Sequence, residues 1–206
     1  MYTAIYSTSL ALSNCLRSAL VSLPPPGLGF TGGGARVVVL NSPHELREEL
    51  KQEGLSVWLY RIERDETRLN IPDERLPGDL LRPPPLPLRL HYLMTPVTFK
   101  GAGGAAPDVE HRMLGRVMQT LHTTPILQGA DLQHTDLEGT DAQLHVHLET
   151  LALDELSRVW ESLEGSFTLA VSYEVTVVNV YPSLEPFHVS PVRIALPEVS
   201  VIVEEV

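Results

Sequence analysis

Between Ala4 and Leu20 the apolar positions Ile5, Leu12, Leu16 and Ala19 recur at helical spacing, with serines and Arg17 between them. That pattern predicts an amphipathic helix, stopped by Pro24, Pro25 and Pro26. GLGFTGGG reads as loop, and the β-branched run from Arg36 to Leu40 as a short strand. Ser42, Pro43 and Glu45 have the form of a capping box with proline in the first turn, opening a helix over HELREELKQ that Gly54 ends. From Leu55 to Glu63 the residues Val57, Trp58, Leu59 and Tyr60 leave no solvated face, as in a well-buried strand. Arg64 to Arg82 is polar and without periodicity.

Leu86 to Val97 must be extended, because Pro85 and Pro87 each bias the preceding residue away from the helical region. Leu88, Leu90, Tyr92 and Met94 then share one face of this strand. Pro107 and Asp108 open a helix in which Val109, Met113, Val117 and Leu121 repeat every fourth position, widened by Leu114 and Met118 and closed by Pro125. Gln143 to Leu148 alternates polar and apolar. Asp154 to Leu163 is a short helix ended by Gly165, and Phe167 to Val180 is the longest strand. Strands interleaved with helices predict an α+β fold: a mixed, mainly antiparallel sheet flanked by about four helices. Beyond Tyr181 the prolines 182, 186, 191 and 197 are too closely spaced for interior strands, and EVSVIVEEV alternates Val199, Val201 and Val203. The expected organisation is one domain over 1–180 and an extended C-terminal tail over 181–206.

Composition narrows the function. With 206 residues, 43% of them hydrophobic, the chain buries one substantial core. A formal net charge of -11 opposes binding to a phosphate backbone, which needs clustered cations to displace counterions. Nucleic acid is therefore not an expected partner. The single cysteine, Cys15, falls on the apolar side of the first helix, as a small core residue would. No secretory leader pattern is recognisable, and no run approaches the ~20 apolar residues of a membrane span, so assembly in the cytoplasm is the expectation.

Chemistry-bearing motifs are sparse. His145 and His147 flank Val146 on a strand, so they project from one face and form a potential chelating pair, but no third ligand accompanies them in sequence. Gly27, Gly29 and Gly32 have dinucleotide-loop spacing in the wrong context, after a helix and before a strand. KGAGGAA after Lys100 lacks the Gly-Lys-Ser/Thr ending of a phosphate loop. Asp131, Asp136, Glu138 and Asp141 depart from calcium-loop spacing and read as a solvated acidic loop. Ser166 lacks the flanking glycine of a nucleophile elbow. The expectation is no catalytic set, no cofactor and no metal.

Three blocks in order resemble the cap, or tail-terminator, proteins of phage-tail-like contractile injection systems of the Photorhabdus virulence cassette and antifeeding-prophage type. They are LSVWLYRIERDETRLN near Trp58, LPLRLHYLMTPV with EHRMLGRVMQTLHTTPIL from Leu86 to Leu127, and VHLETLALDELSRVWESLEGSFTLAVSYEVTVV after His145. The resemblance implies a structural protein: a hexameric ring on the distal end of tube and sheath that ends polymerisation and stabilises the extended sheath. It implies the sheath and inner-tube proteins as partners, in a particle that leaves the cell in some systems. Residues 101–106 are smaller and less polar than the resemblance leads one to expect. The alternating Val199, Val201 and Val203 suggest a strand donated to a sheath or adjacent cap subunit, or else one completing the domain's own sheet. Arg36, Arg61, Arg89 and Arg112 are candidates for intersubunit charge pairs. The alternatives are a metal-dependent enzyme using His145 and His147, and a cargo adaptor.

Overall fold

The computed structural model of the chain describes residues 2–21, 36–99, 106–163 and 167–189. Its centre is strand β5 (Leu86–Val97), which pairs antiparallel with β2 (Glu53–Arg64) on one side and β8 (Val171–Val180) on the other. β8 continues to β7 (Gln143–Glu149) and β7 to the short β6 (Ile126–Gln128), both antiparallel. Only β1 (Arg36–Val39) runs parallel to its neighbour, β2. The six strands lie in the order β1-β2-β5-β8-β7-β6. With the four α-helices of the described residues, this is the mixed, mainly antiparallel α+β arrangement that the alternation of apolar patterns predicts.

Period-two alternation divides the sheet into two unlike faces. Leu88, Leu90, Tyr92 and Met94 of β5 join Leu55 and Val57 of β2, Tyr173, Val175 and Val178 of β8, and Leu144 and Val146 of β7 in one apolar cluster. Two helices cover that face: α1 (Ala4–Val21) with Leu12, Leu16 and Leu20, and α3 (Ala106–Thr123) with Met113, Val117 and Leu121. Inside this layer the Tyr92 hydroxyl meets Ser9 Oγ at 2.8 Å, giving both buried groups a partner and tying α1 to the central strand. Cys15 packs half-buried against the same core. Met118, expected to widen the buried stripe of α3, is exposed. Outside that cluster, α2 (Pro43–Glu48) packs against β2 and β5 and buries Leu46, while α4 (Leu153–Ser162) buries Trp160, whose ring centroid lies 6.1 Å from that of Phe167.

Several boundaries differ from expectation. The capping box of α2 is formed, with Ser42 Oγ accepting from Glu45 N and Glu45 Oε2 from Ser42 N, but the helix ends by Glu48. Gly54 is not its stop signal. It lies inside β2, where a Cβ would meet Val37 O at 2.0 Å, so glycine is required by the close approach of β1. The stretch over Arg64 to Arg82 is not all loop: β3 (Glu74–Leu76) and β4 (Leu80–Arg82) form a hairpin in which Gly78 and Asp79 take positive φ. β9 (Phe187–His188) joins that hairpin as a third strand. Phe167 to Ala170 precedes β8 without being part of it. Gly27, Gly29, Gly32, residues 101–105, Gly165, Ser166 and the alternating valines 199, 201 and 203 lie outside the described residues.

Candidate functional site

On the face away from α1 and α3, strands β2, β5, β7 and β8 bring ionisable side chains together. His91 of β5 is only 3% exposed, and its Nδ1 lies 3.1 and 3.2 Å from the two carboxylate oxygens of Glu149 on β7. Glu149 Oε2 also accepts hydrogen bonds from Ser172 Oγ (2.7 Å) and the Tyr60 hydroxyl (3.2 Å). Burial pushes the Glu149 carboxyl up, but the hydrogen bonds from Ser172 and His91, the imidazole charge and the Tyr60 bond outweigh it and hold the group below the ordinary carboxylate range. Tyr60 itself is pushed up to about 12, mainly by burial and further by the Glu149 charge, so it stays a hydrogen-bond donor at neutral pH.

The other side of the imidazole is acidic too. His91 Nε2 is 3.3 Å from Glu63 Oε2, at an angle that makes no hydrogen bond. Arg61 pairs with Glu63. Arg89 binds Asp65 Oδ1 through Nη2 at 2.9 Å and stands 3.6 Å from Glu174. Burial raises the Asp65 carboxyl, yet the Thr67 and Arg89 hydrogen bonds and the guanidinium charge bring it below its ordinary value. Glu174 faces His91 across β5–β8 and His147 across β7–β8.

The register explains how residues so far apart in sequence meet. At Leu59/Arg61 the β2–β5 pairing slips by one residue, a bulge at Tyr60. Bulges bend a strand and re-aim side chains; here the result is that Tyr60, Arg61 and Glu63 all reach the ionic cluster.

The sequence-predicted pair, His145 and His147, does share a face, with ring centroids 6.3 Å apart. The ligand grouping of the described residues is a different one, His91, Glu149 and Glu174. His147 is exposed and next to that trio without belonging to it. The acidic loop is solvated as expected and serves local turns: Asp131 accepts from Gln128 N and Glu138 from His134 N. Arg36, Arg61, Arg89 and Arg112, candidates for intersubunit pairs, have carboxylate partners in their own chain: Glu53, Glu63, Asp65 and Asp108.

A groove of about 470 Å³ runs between α3 and β7, lined by Met118, Leu121, Pro125, Val146, Leu148 and Tyr173 among others. Beside it, among the described residues, β6 covers β7 only from Gln143 to His145, with one further bond from Val146 N to Pro125 O. No helix among the described residues is long and apolar enough to cross a membrane.

Against this geometry, the profile of the Pvc16 N-terminal domain family matches residues 8–194. The chain belongs to that family. Among solved structures, this Pvc16 N-terminal domain is similar to the PVC sheath/tube terminator of an extracellular contractile injection system in its extended state. The TM-score is 0.57 at 20% identity, over 98% of this chain and 64% of that one. It is also similar to the anti-feeding prophage cap, described as the AFP tube terminating cap, with a TM-score of 0.57 at 19% identity, over 93% of this chain and 60% of that one. At such identities the likeness concerns the fold, and the chain spans about three fifths of the length of each of these proteins. No curated protein matched.

Proposed function

We propose that this Pvc16 N-terminal domain is a structural cap that terminates the tube and sheath of a contractile injection system. One observation carries the reading: the fold of a sheath/tube terminator extends over 98% of the chain, in a sequence that its family profile matches over residues 8–194. Terminating a polymer takes shape and symmetry. A closed ring ends growth because it fits the last layer on one side and offers no equivalent acceptor on the other. The cap acts as a hexamer, binds the sheath and inner-tube proteins, and holds the extended sheath in register. Its assembly takes place in the cytoplasm, and it needs neither nucleic acid nor a membrane as partner. The exposed aromatic start of α1, with Tyr2 at 91% and Tyr6 at 60% exposure, suits a subunit that is buried by neighbours on assembly. The cap is not an enzyme: the hydroxyls of the ionic cluster donate to Glu149 and so orient a carboxylate.

The tail carries part of the same role. Val199, Val201 and Val203 add a strand to a sheath subunit or an adjacent cap subunit, with main-chain bonds for affinity and alternate side chains for register. Among the described residues, β7 beyond Val146 has no strand on its outer side, an edge of the kind such a tail would use. Electron micrographs of particles from cells lacking this chain, and from cells complemented with it or with residues 198–206 deleted, test both statements. The expected outcome is tubes and sheaths of irregular length without the chain, restored length with the full chain, and uncapped sheath with the deletion. Particles of normal length in the absence of the chain would end the cap reading; normal capping by the deleted form would end only the role of the tail.

A further inference from the structure

The ionic face of the sheet is organised as a metal centre would be. A ring nitrogen of His91 and one carboxylate oxygen each from Glu149 and Glu174 lie within 4.8 Å of one another. The 3.1 Å between His91 Nδ1 and Glu149 Oε1 is close to the edge of a zinc tetrahedron, about 3.3 Å for bonds of about 2.0–2.1 Å. His91 is buried and inflexibly placed on the central strand, whereas Glu149 and Glu174 keep about a fifth of their side-chain surface accessible, which leaves a path for an ion.

The surroundings complete the pattern. A metal-binding histidine turns its second nitrogen toward a carboxylate, and a metal-binding carboxylate is itself hydrogen-bonded. His91 Nε2 stands 3.3 Å from Glu63 and, among the described residues, has no hydrogen bond of its own. Ser172 and Tyr60 hold Glu149 Oε2, and His91 Nδ1 lies 3.1 Å from Oε1 and 3.2 Å from Oε2. Charge points the same way. Four carboxylates, Glu63, Asp65, Glu149 and Glu174, face two guanidinium groups, Arg61 and Arg89, so carboxylates outnumber guanidinium groups by two on this face.

We propose that His91 (through Nδ1), Glu149 and Glu174 bind one divalent transition metal of the zinc type, with water completing its coordination. The ion ties β5, β7 and β8 together on the ionic face, and so stiffens the sheet. This is a structural site, distinct from the His145–His147 pair and independent of the cap reading.

The test uses the full chain, stripped with EDTA, dialysed and titrated with zinc chloride alone. Expected are one zinc per chain by elemental analysis and a midpoint of unfolding raised by several degrees. Glu174→Gln and His91→Gln should each weaken binding at least tenfold, while His145→Ala and His147→Ala bind as the parent does. Glu174 contacts only the edge of Arg89 among its ionic partners, at 3.6 Å, so Glu174→Gln keeps the fold, checked by an unchanged circular dichroism spectrum. A parent chain that takes up no zinc overturns the proposal. Zinc that survives Glu174→Gln, or that requires His147, overturns it equally, because the ion would then belong to other ligands.

Discussion

Replacing Gly54 by alanine tests the way the parallel edge strand is seated. The added Cβ would stand 2.0 Å from Val37 O, 2.8 Å from Val37 N and 2.9 Å from Val37 C, all backbone atoms that no rotamer change can move. Ordinary contact begins at about 3.4 Å, so β1 must retreat by more than an ångström. Among the described residues β1 has β2 as its only sheet neighbour, which makes its displacement the least costly response. What is lost is the ladder from Arg36↔Glu53 to Val39↔Ser56, the Arg36–Glu53 ion pair at 2.8 Å and the burial of Val38. Burying a valine side chain contributes about 1.5–3 kcal/mol, and the exposed ion pair about 0–1 kcal/mol. A total of about 2–4 kcal/mol corresponds to a fall in Tm of about 5–15 °C for a chain of this length. Thermal unfolding followed by circular dichroism reads it directly. Gly115→Ala is the matched control: in the middle of α3 its Cβ meets nothing within 4 Å, and alanine there should stabilise by about 0.5–1 kcal/mol, raising Tm by a few degrees. If Gly54→Ala melts within about 2 °C of the parent, the close approach of β1 to β2 is refuted.

Two further outcomes are expected. Asp65 has a folded pKa below its ordinary 3.8, so its contribution to stability is complete above that value and is lost as pH falls toward the folded pKa. Asp65→Asn, which weakens the Arg89 pair, should destabilise by about 1–3 kcal/mol at neutral pH and show a shallower loss of stability between pH 5 and 2 in urea titrations; parallel losses in parent and variant would remove Asp65 as the cause. The Cys15 thiol is pushed up to about 11 from 9.0, first by burial and then by the Asp131 charge. At pH 8 the native chain should be alkylated by iodoacetamide on the order of a hundredfold more slowly than the urea-unfolded chain, and equal rates would contradict the packing of α1.

Much of the fold could be read from single segments, because strong periodicity survives without knowledge of neighbours. β5 has the bounds that Pro85, Pro87 and its alternating leucines predict, and α1, α3 and α4 fall within one or two residues of expectation. What escaped were elements defined by pairing: β3, β4 and β9 are two or three residues long and have no period to detect, although Pro77-Gly78-Asp79 between Leu76 and Leu80 was a turn signal. Gly54 looked like a helix stop because nothing in its own segment reveals Val37 against it. The ionic cluster escaped for the same reason. His145 and His147 are visible at a spacing of two, whereas His91 and Glu149 are separated by 58 positions and meet only through the register of β5, β8 and β7.

The bulge at Tyr60 divides β2 into two pieces that answer to different neighbours. Ahead of it the odd-numbered Leu55, Val57 and Leu59 serve the helix-covered core; past it the odd-numbered Arg61 and Glu63 lie on the side of His91. Flattening the bulge while keeping its extra residue would invert the parity of everything up to Arg64, turning Ile62 toward the charges and Glu63 toward the oil. Substitutions on either half can therefore drift separately, whereas the extra residue and the slip that absorbs it must be kept or lost together.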